Sequence, residues 1–400
     1  MTRVCMIVKN DCKYDYRVLK EARSLARNGY DVTVVAVNFG GPAEIEEDQG
    51  VKFVRISIPR GRNILAKAFF LFVLYAWRAA RAAAEEDADI YHAQGATALI
   101  PAFIAARIFR RAALIFDAHE PSISFFKFRE ILCIYSLPVA LAYWIMGKIR
   151  EPLVRASDAV ITVNDLIADE MARYFAIPRP AVVMNCPPLA DSDAAAAPDL
   201  LTQMAGLKPG TPIVIYQGAF VKHGRRLQSL VRAGAYLNKG AIVLVGFGPQ
   251  EEELRTLVAR LGLKRRVFVL PAVPPDRIMS LTRSAQVGVV PIEPIHLGLR
   301  MSTPTKFFEY IVAGLPVVTS DLPQVTRIVE KYELGLVCDP TSPKSIADAI
   351  NRILGDPALY SRMRRGALRA AQRYNWENQE KVLLETYRKV LDARRGDSSC

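Results

Sequence analysis

Short apolar runs recur along the chain, separated by stretches with helical spacing. In the first half, residues 4–8, 32–37, 51–56, 89–92, 112–117, 158–164 and 182–185 read as strands. They are rich in Val and Ile without strict alternation, as expected of strands covered on both faces. Between the first two, Val18, Ala22, Leu25 and Ala26 share a helical face, and Asn28-Gly29 ends that helix. Further helices are predicted over 96–110 and 165–175. The second half repeats the rhythm, with strands at 213–216, 241–245, 266–270, 286–290, 316–319 and 335–338. Its helices fall at 250–261, 277–284, 326–331 and 343–354. Strands alternating with helices predict βαβ units and an α/β fold. Residues 186–212, rich in Pro, Ala and Asp, have no sustained apolar period and mark a domain boundary, with a hinge near residue 190. This divides the chain into a domain over 1–190 and a second over 191–375. A last helix follows, with Val382, Leu383, Tyr387 and Val390 as its apolar stripe.

Two segments depart from the rhythm. Residues 64–77 are very apolar but too few to span a bilayer. Arg60, Arg62, Lys67, Arg78 and Arg81 lie within or beside them. A helix in a membrane interface and a helix packed on the sheet both fit. Residues 131–147 carry no charge, contain Pro138, and are flanked by Lys127, Arg129, Lys148 and Arg150. A spanning segment between strands of one sheet would break the sheet, so this reads as a surface helix able to dip into a membrane.

The chain of 400 residues is 51% hydrophobic with a net charge of +13, so it has ample core material and favours anionic partners. There is no zinc spacing and no nucleic-acid motif, which leaves phosphates and anionic membranes ahead of DNA or RNA. The six cysteines are scattered, which predicts a reducing compartment, here the cytoplasm. Residues 1–10 read as entry into a strand, not as a leader.

The densest chemistry lies in residues 302–321, STPTKFFEYIVAGLPVVTSD. Thr303 is the expected N-cap and Pro304 the first helical residue; Gly314 stops the helix. Phe307/Ile311 and Phe308/Val312 should face the core. Ser302, Lys306 and Glu309 follow another line. A lysine in the first turn opposes the helix dipole, and a phosphate over the helix start would resolve the conflict. Glu309 could accept hydrogen bonds from ribose hydroxyls. An ordinary amphipathic helix with solvated Lys306 and Glu309 fits the same spacing.

This stretch resembles the signature S-x-P-x-K-x-x-E-Y-x-x-x-G-x-P-V of retaining glycosyltransferases of family 4. The resemblance extends over about residues 3–392. Residues 15–32 are similar to the family's D-x-R-V-x-x-E-A-x-x-L-x-x-x-G-x-x-V opening, although Asn10-Asp11 replace its paired glycines. The segment DAHE at 117–120 is similar to its D-x-H-E, and residues 216–233 to its Y-Q-G element. GFGP at 246–249 and YNWE at 374–377 match its G-x-G-P and Y-x-W-E. The resemblance implies a GT-B fold, two Rossmann-like doubly wound domains facing a cleft, with the last helix returning to the first domain. It implies a nucleotide-sugar donor, UDP- or GDP-linked, with no metal or other cofactor; the basic charge and the two apolar, basic-flanked segments suggest a lipid-linked or glycan acceptor at the membrane face. His119 and Glu309 become the catalytic candidates. Gly218, Lys222, Arg225, Gly246, Ser302, Thr303 and Lys306 become donor contacts, with His223 and Arg226 as alternatives for the pyrophosphate clamp. The resemblance puts Asp15, Arg17 and His92 on the acceptor side, while the residues themselves favour a local ion pair of Asp15 with Arg17 on the helix. The family's first glutamate of a pair is absent: Met301 stands there, and Glu293 is the nearest acid. A nucleotide-sugar epimerase, or a binding protein of this fold without catalysis, are the alternatives.

Overall fold

The computed structural model describes residues 1–59, 64–119, 137–189, 200–222 and 224–397. The chain forms two compact units, Met1–Val183 with Glu380–Cys400, and Met184–Gln379. The first holds β1 (Arg3–Ile7), β2 (Asp31–Phe39), β3 (Glu44–Asp48), β4 (Val51–Ile58), β5 (Ile90–Gln94), β6 (Ala113–Ala118), β7 (Ala159–Thr162) and β8 (Ala181–Val182). Their order is β3-β4-β2-β1-β5-β6-β7-β8. All neighbours are parallel except β3, which runs antiparallel to β4. Val4, Ile7, Val34, Ile90 and Ile115 are buried between the helical layers. Helix Tyr16–Arg27 is started by Asp15, whose carboxylate accepts from the Val18 amide.

Three differences from the pattern stand out here. The strand β3 reads EIEED, with no apolar run to announce it. It is an edge strand, and Glu44 and Glu46 both pair with Arg55 of β4. The predicted helix over 96–110 is a short α-helix, Leu99–Phe103, that continues as a π-helix, Ile104–Phe109. The apolar segment 131–147 lies outside the described residues up to 136. From there it is part of helix Leu137–Arg155. No described helix is long and apolar enough to cross a membrane.

The second unit holds β9 (Ile213–Gln217), β10 (Ala241–Gly246), β11 (Val267–Pro271), β12 (Val287–Val290), β13 (Val317–Thr319) and β14 (Gly335–Val337), in the order β11-β10-β9-β12-β13-β14 and all parallel. Val214, Leu244, Val289 and Val318 pack with Leu230, Leu254 and Ile350 in its core. Helix Pro357–Ala371 was not predicted, although Asp356 caps the amides of Ala358 and Leu359 and Pro357 takes the first helical position.

The last helix, Trp376–Asp397, belongs to the first unit from Glu380 onward. Leu383, Tyr387 and Val390 of its expected stripe are buried. The helix persists to Asp397. Arg394 donates to the carbonyls of Arg111 and Ala112, which holds the last turns down.

Candidate active site

In the second sheet the strand order reverses between β9 and β12, and open α/β sheets bind ligands in the crevice at such a point. The residues gathered there come from three segments. Gln217 ends β9 and is followed by Gly218, whose φ of +125° favours glycine. Arg225 bridges to Ile292, just past β12. Lys306 and Glu309 lie on helix Thr305–Val312.

Lys306 is 8% exposed and has no acidic partner among the described residues. Its ammonium lies 3.7 Å from the centroid of the Tyr216 ring. A Cβ at Gly218 would come within 2.9 Å of Lys306 Nζ, so the missing side chain at 218 leaves the lysine its place. Burial first, then the charge of Arg225, hold its pKa well below the usual lysine value, against the opposing pull of Glu309. Arg225 has a buried Nη1 without a hydrogen-bond partner among the described residues. Two cations therefore converge under an exposed glycine. The helix begins at Thr305, not at Pro304, which keeps an extended ψ of 138° as N-cap. No side chain caps this helix, so its dipole adds to the two charges.

Glu309 is held by the Gln217 side-chain amide. Gln217 is fixed in turn by Thr282, whose hydroxyl lies 2.8 Å from Gln217 Oε1, and its backbone N–H donates to Tyr310 at 3.3 Å. Sequence reasoning did not single out Thr282 or Tyr310 as site residues. The signal for Tyr310 was in the E-Y pair of the signature.

The structure separates the basic candidates. Lys222 pairs with Glu253 at 3.0 Å, and Arg226 pairs with Glu293. Arg225 alone of the three described has no acid beside it; His223 lies outside the described residues. The pairing of Glu293 with Arg226 also corrects its candidacy for the missing first acid. Ser302 donates to the Leu299 carbonyl at 2.7 Å and closes the short helix Leu297–Arg300, while Thr303 sits half-buried before the helix start. Gly246 and Gly248 were expected to admit a ligand. Their space is taken by the chain itself: a Cβ at Gly246 would meet the Gly218 carbonyl at 2.0 Å, and one at Gly248 the Phe220 carbonyl at 2.6 Å.

In the first unit the reversal falls between β1 and β5. His119 follows β6, and Gly95 follows β5 beside it: a Cβ there would lie 3.3 Å from His119 Cε1. Asp117, fully buried, receives Arg17 through Nε at 2.9 Å and Nη2 at 2.7 Å. Arg17 also meets Glu21 at 3.1 Å and donates to the Val183 carbonyl. This corrects both readings of Arg17. It is neither paired locally with Asp15 nor open to an acceptor, being 5% exposed and spent on Asp117. Asp15 serves as the helix cap and accepts from Asn10 at 2.8 Å. His92 is fully buried, with Nδ1 2.7 Å from the Tyr387 hydroxyl, and so does not reach an acceptor directly. Burial pushes its pKa down to about 4.

Burial disfavours charge on His119 too, but the nearby Asp117 carboxylate outweighs it and raises the pKa. The Asp117 Oδ1 to His119 Nδ1 distance is 3.8 Å. Burial would raise the pKa of Asp117, yet Arg17 and His119 hold it well below the usual carboxylate range. Glu21, His92 and Asp117 could present ligand atoms within 4.8 Å of one another. The Arg17 guanidinium already bonds both acids, so a dication there would face a buried positive charge.

Comparisons with known proteins agree with this division. The "Glycosyl transferase 4-like domain" family matches residues 15–187, and "Glycosyl transferases group 1" matches residues 201–369. A D-inositol 3-phosphate glycosyltransferase from Acidothermus cellulolyticus is 36% identical over 160 residues, 38% of this chain and 34% of that protein. The match thus spans only about a third of that relative's length. The structure of a sucrose-phosphate synthase from Thermosynechococcus elongatus superposes with a TM-score of 0.75 at 19% identity, over 98% of this chain and 100% of that one. Anabaena HepE in complex with UDP-glucose gives a TM-score of 0.68 at 18% identity, over 97% and 100%. These structural likenesses establish the fold, and the two family matches adjoin along one chain. With two doubly wound units and the signature helix at the switch point of the second, the chain belongs to the glycosyl transferases of group 1 and has their GT-B fold.

Proposed function

We propose that the chain transfers a sugar from a nucleotide-sugar donor to an acceptor hydroxyl with retention of anomeric configuration. The observation that carries this reading is Lys306, buried beside Arg225 under Gly218 with no described acid to neutralise it. Such a pair is costly until an anion sits on it. A diphosphate supplies that anion, and it gains charge as the glycosidic bond breaks, so fixed cations stabilise the transition state more than the bound donor. Two protein cations supply the positive charge, so no metal is needed in this reading. Gln217 and Thr282 hold Glu309 in place for ribose hydroxyls. His119, kept basic by Asp117, can hold or move a proton near neutral pH. The attack comes from the front face, with the donor phosphate assisting deprotonation of the acceptor. The UDP-glucose bound by HepE supports a UDP-sugar as donor.

The test is thermal-shift screening against UDP-, GDP-, ADP- and dTDP-sugars in EDTA. At a donor concentration of about 100 Kd the native state gains about 2.7 kcal/mol, a shift of several degrees. One nucleotide sugar should give it, and Glu309→Ala should abolish most of it. No shift with any donor would overturn the reading.

The acceptor side of the proposal is a lipid-linked or glycan precursor, met at the cytoplasmic membrane face. Its support is helix Leu137–Arg155, where Leu137, Leu141, Trp144, Ile145 and Ile149 are all exposed at helical spacing, on a chain of charge +13. Sedimentation with anionic vesicles should fall several-fold in a Trp144→Glu, Ile145→Glu double variant; unchanged binding would discard the membrane part alone.

A further inference from the structure

The end of β10 carries a group that neither Lys306 nor Glu309 uses. Phe247 follows Gly246 directly and is 68% exposed. A single apolar side chain on a surface says little by itself. This one stands on a backbone that is pinned from both sides. Gly218 donates to the Val245 carbonyl at 2.9 Å, Phe220 donates to the Phe247 carbonyl at 2.8 Å, and Gln250 donates to the Phe220 carbonyl at 3.1 Å. Gly246 and Gly248 close against the same loop, where a Cβ on either would strike the backbone of Gly218 or Phe220. The turn therefore holds its ring toward solvent on a fixed stand, and little ordering is left to be done when something binds there.

The strand order decides what lies beside it. β12, β9 and β10 are successive neighbours in the sheet, about 4.8 Å from one to the next, and each ends in a different part of the site. Arg225 bridges to Ile292 just past β12, and Lys306 lies under Gly218 just past β9. Gln217, the last residue of β9, holds Glu309. Phe247 comes next, just past β10. Its Cα is at most about 13 Å from the Lys306 ammonium, by way of Gly218 and Gly246, whose backbones lie against each other. Cations, a carboxylate suited to hydroxyls and an aromatic face thus follow one another across three strand ends. A nucleoside diphosphate presents phosphates, ribose and base in that order. We infer that Phe247 is the stacking platform for the nucleobase of the donor, an inference that rests on the transferase reading for the identity of the ligand. A phenyl ring has no hydrogen-bonding group, so it grips the face of any base and leaves the choice between bases to other contacts.

Calorimetry on the full chain tests it, with UDP, GDP, ADP and inorganic pyrophosphate as probes. In Phe247→Ala the Kd of whichever nucleoside diphosphate binds should rise about tenfold. The Kd of pyrophosphate should not change, because the cations are untouched. An exposed side chain can be removed at little cost to the fold, and an unchanged melting temperature checks this. Phe247→Leu, apolar but not aromatic, should lose most of the same affinity, and Phe247→Trp should keep it. Fluorescence of the Phe247→Trp variant should be quenched by the nucleotide beyond that of the unaltered chain, and not by pyrophosphate. A nucleotide Kd equal in the unaltered chain and in Phe247→Ala, or a loss shared equally by pyrophosphate, would overturn the platform and leave the donor reading standing. If the unaltered chain binds no nucleoside diphosphate, the transferase reading fails and the platform fails with it.

Discussion

Replacing Lys306 by methionine is expected to lower kcat/KM by about 10²–10³-fold while leaving the melting temperature unchanged or higher. The two parts have one cause. The ammonium is 8% exposed and lies beside Arg225, and its chief compensation is the face of the Tyr216 ring. Exchanging an under-compensated buried charge for an apolar side chain of similar length is neutral or stabilising for the fold. The same exchange removes a fixed cation from the place where the leaving diphosphate gains charge. A residue kept for function at a cost in stability shows this opposite pair of effects. A lysine that merely fills space would show the reverse, lower stability with turnover kept. Steady-state kinetics and a thermal melt on the same preparation separate the two, and reduced stability with near-normal kcat/KM would sink the assignment.

Asp117→Ala should destabilise the protein by about 3–5 kcal/mol, because it removes the bidentate partner of a buried guanidinium and leaves only Glu21 beside it. Arg17 reaches Asp117 through two nitrogens, and both residues are almost fully buried. The double change Arg17→Met, Asp117→Ala should recover part of the loss, since the under-compensated guanidinium is then gone and Glu21, whose pKa burial already raises, can take up a proton. The pH dependence has a definite sign. Arg17 and His119 overcome burial to depress the pKa of Asp117, so its stabilisation is complete above the ordinary Asp value of about 4. It is lost as pH falls through the folded value. Asp117→Asn should therefore flatten the acid limb of the stability profile below about pH 4. Urea unfolding across that window measures both, and a loss under about 1 kcal/mol would mean that Glu21 alone suffices to hold Arg17.

Much of the fold was legible because buried parallel strands write themselves as apolar runs. The helix Asp165–Phe175 was read to its ends; in the fold Asn164 caps it and Ala176 turns left-handed after it. The strand β3 was missed for the opposite reason: its acids answer Arg55, which no local pattern reveals. Arg17 was assigned to the acceptor side or to Asp15 because both readings looked only along the helix. Its partner stands 100 positions away. Gly246 illustrates the same limit. A glycine shows that something comes close, and only the folded chain shows that it is the carbonyl of Gly218.

The sequence by itself determined the α/β rhythm, the two-part division and the helix that carries Lys306 and Glu309. These depend on spacing within a dozen residues, and hydrophobic period and capping act at that range. Only the tertiary structure decided which charges are spent and which are left over. Lys222 and Arg226 have acids paired with them, Arg225 and Lys306 have no ion pair among the described residues, and His119 has its basicity from a carboxylate that Arg17 holds. Charge pairing is set by distance in space and by loss of water, and neither is a property of neighbours along the chain.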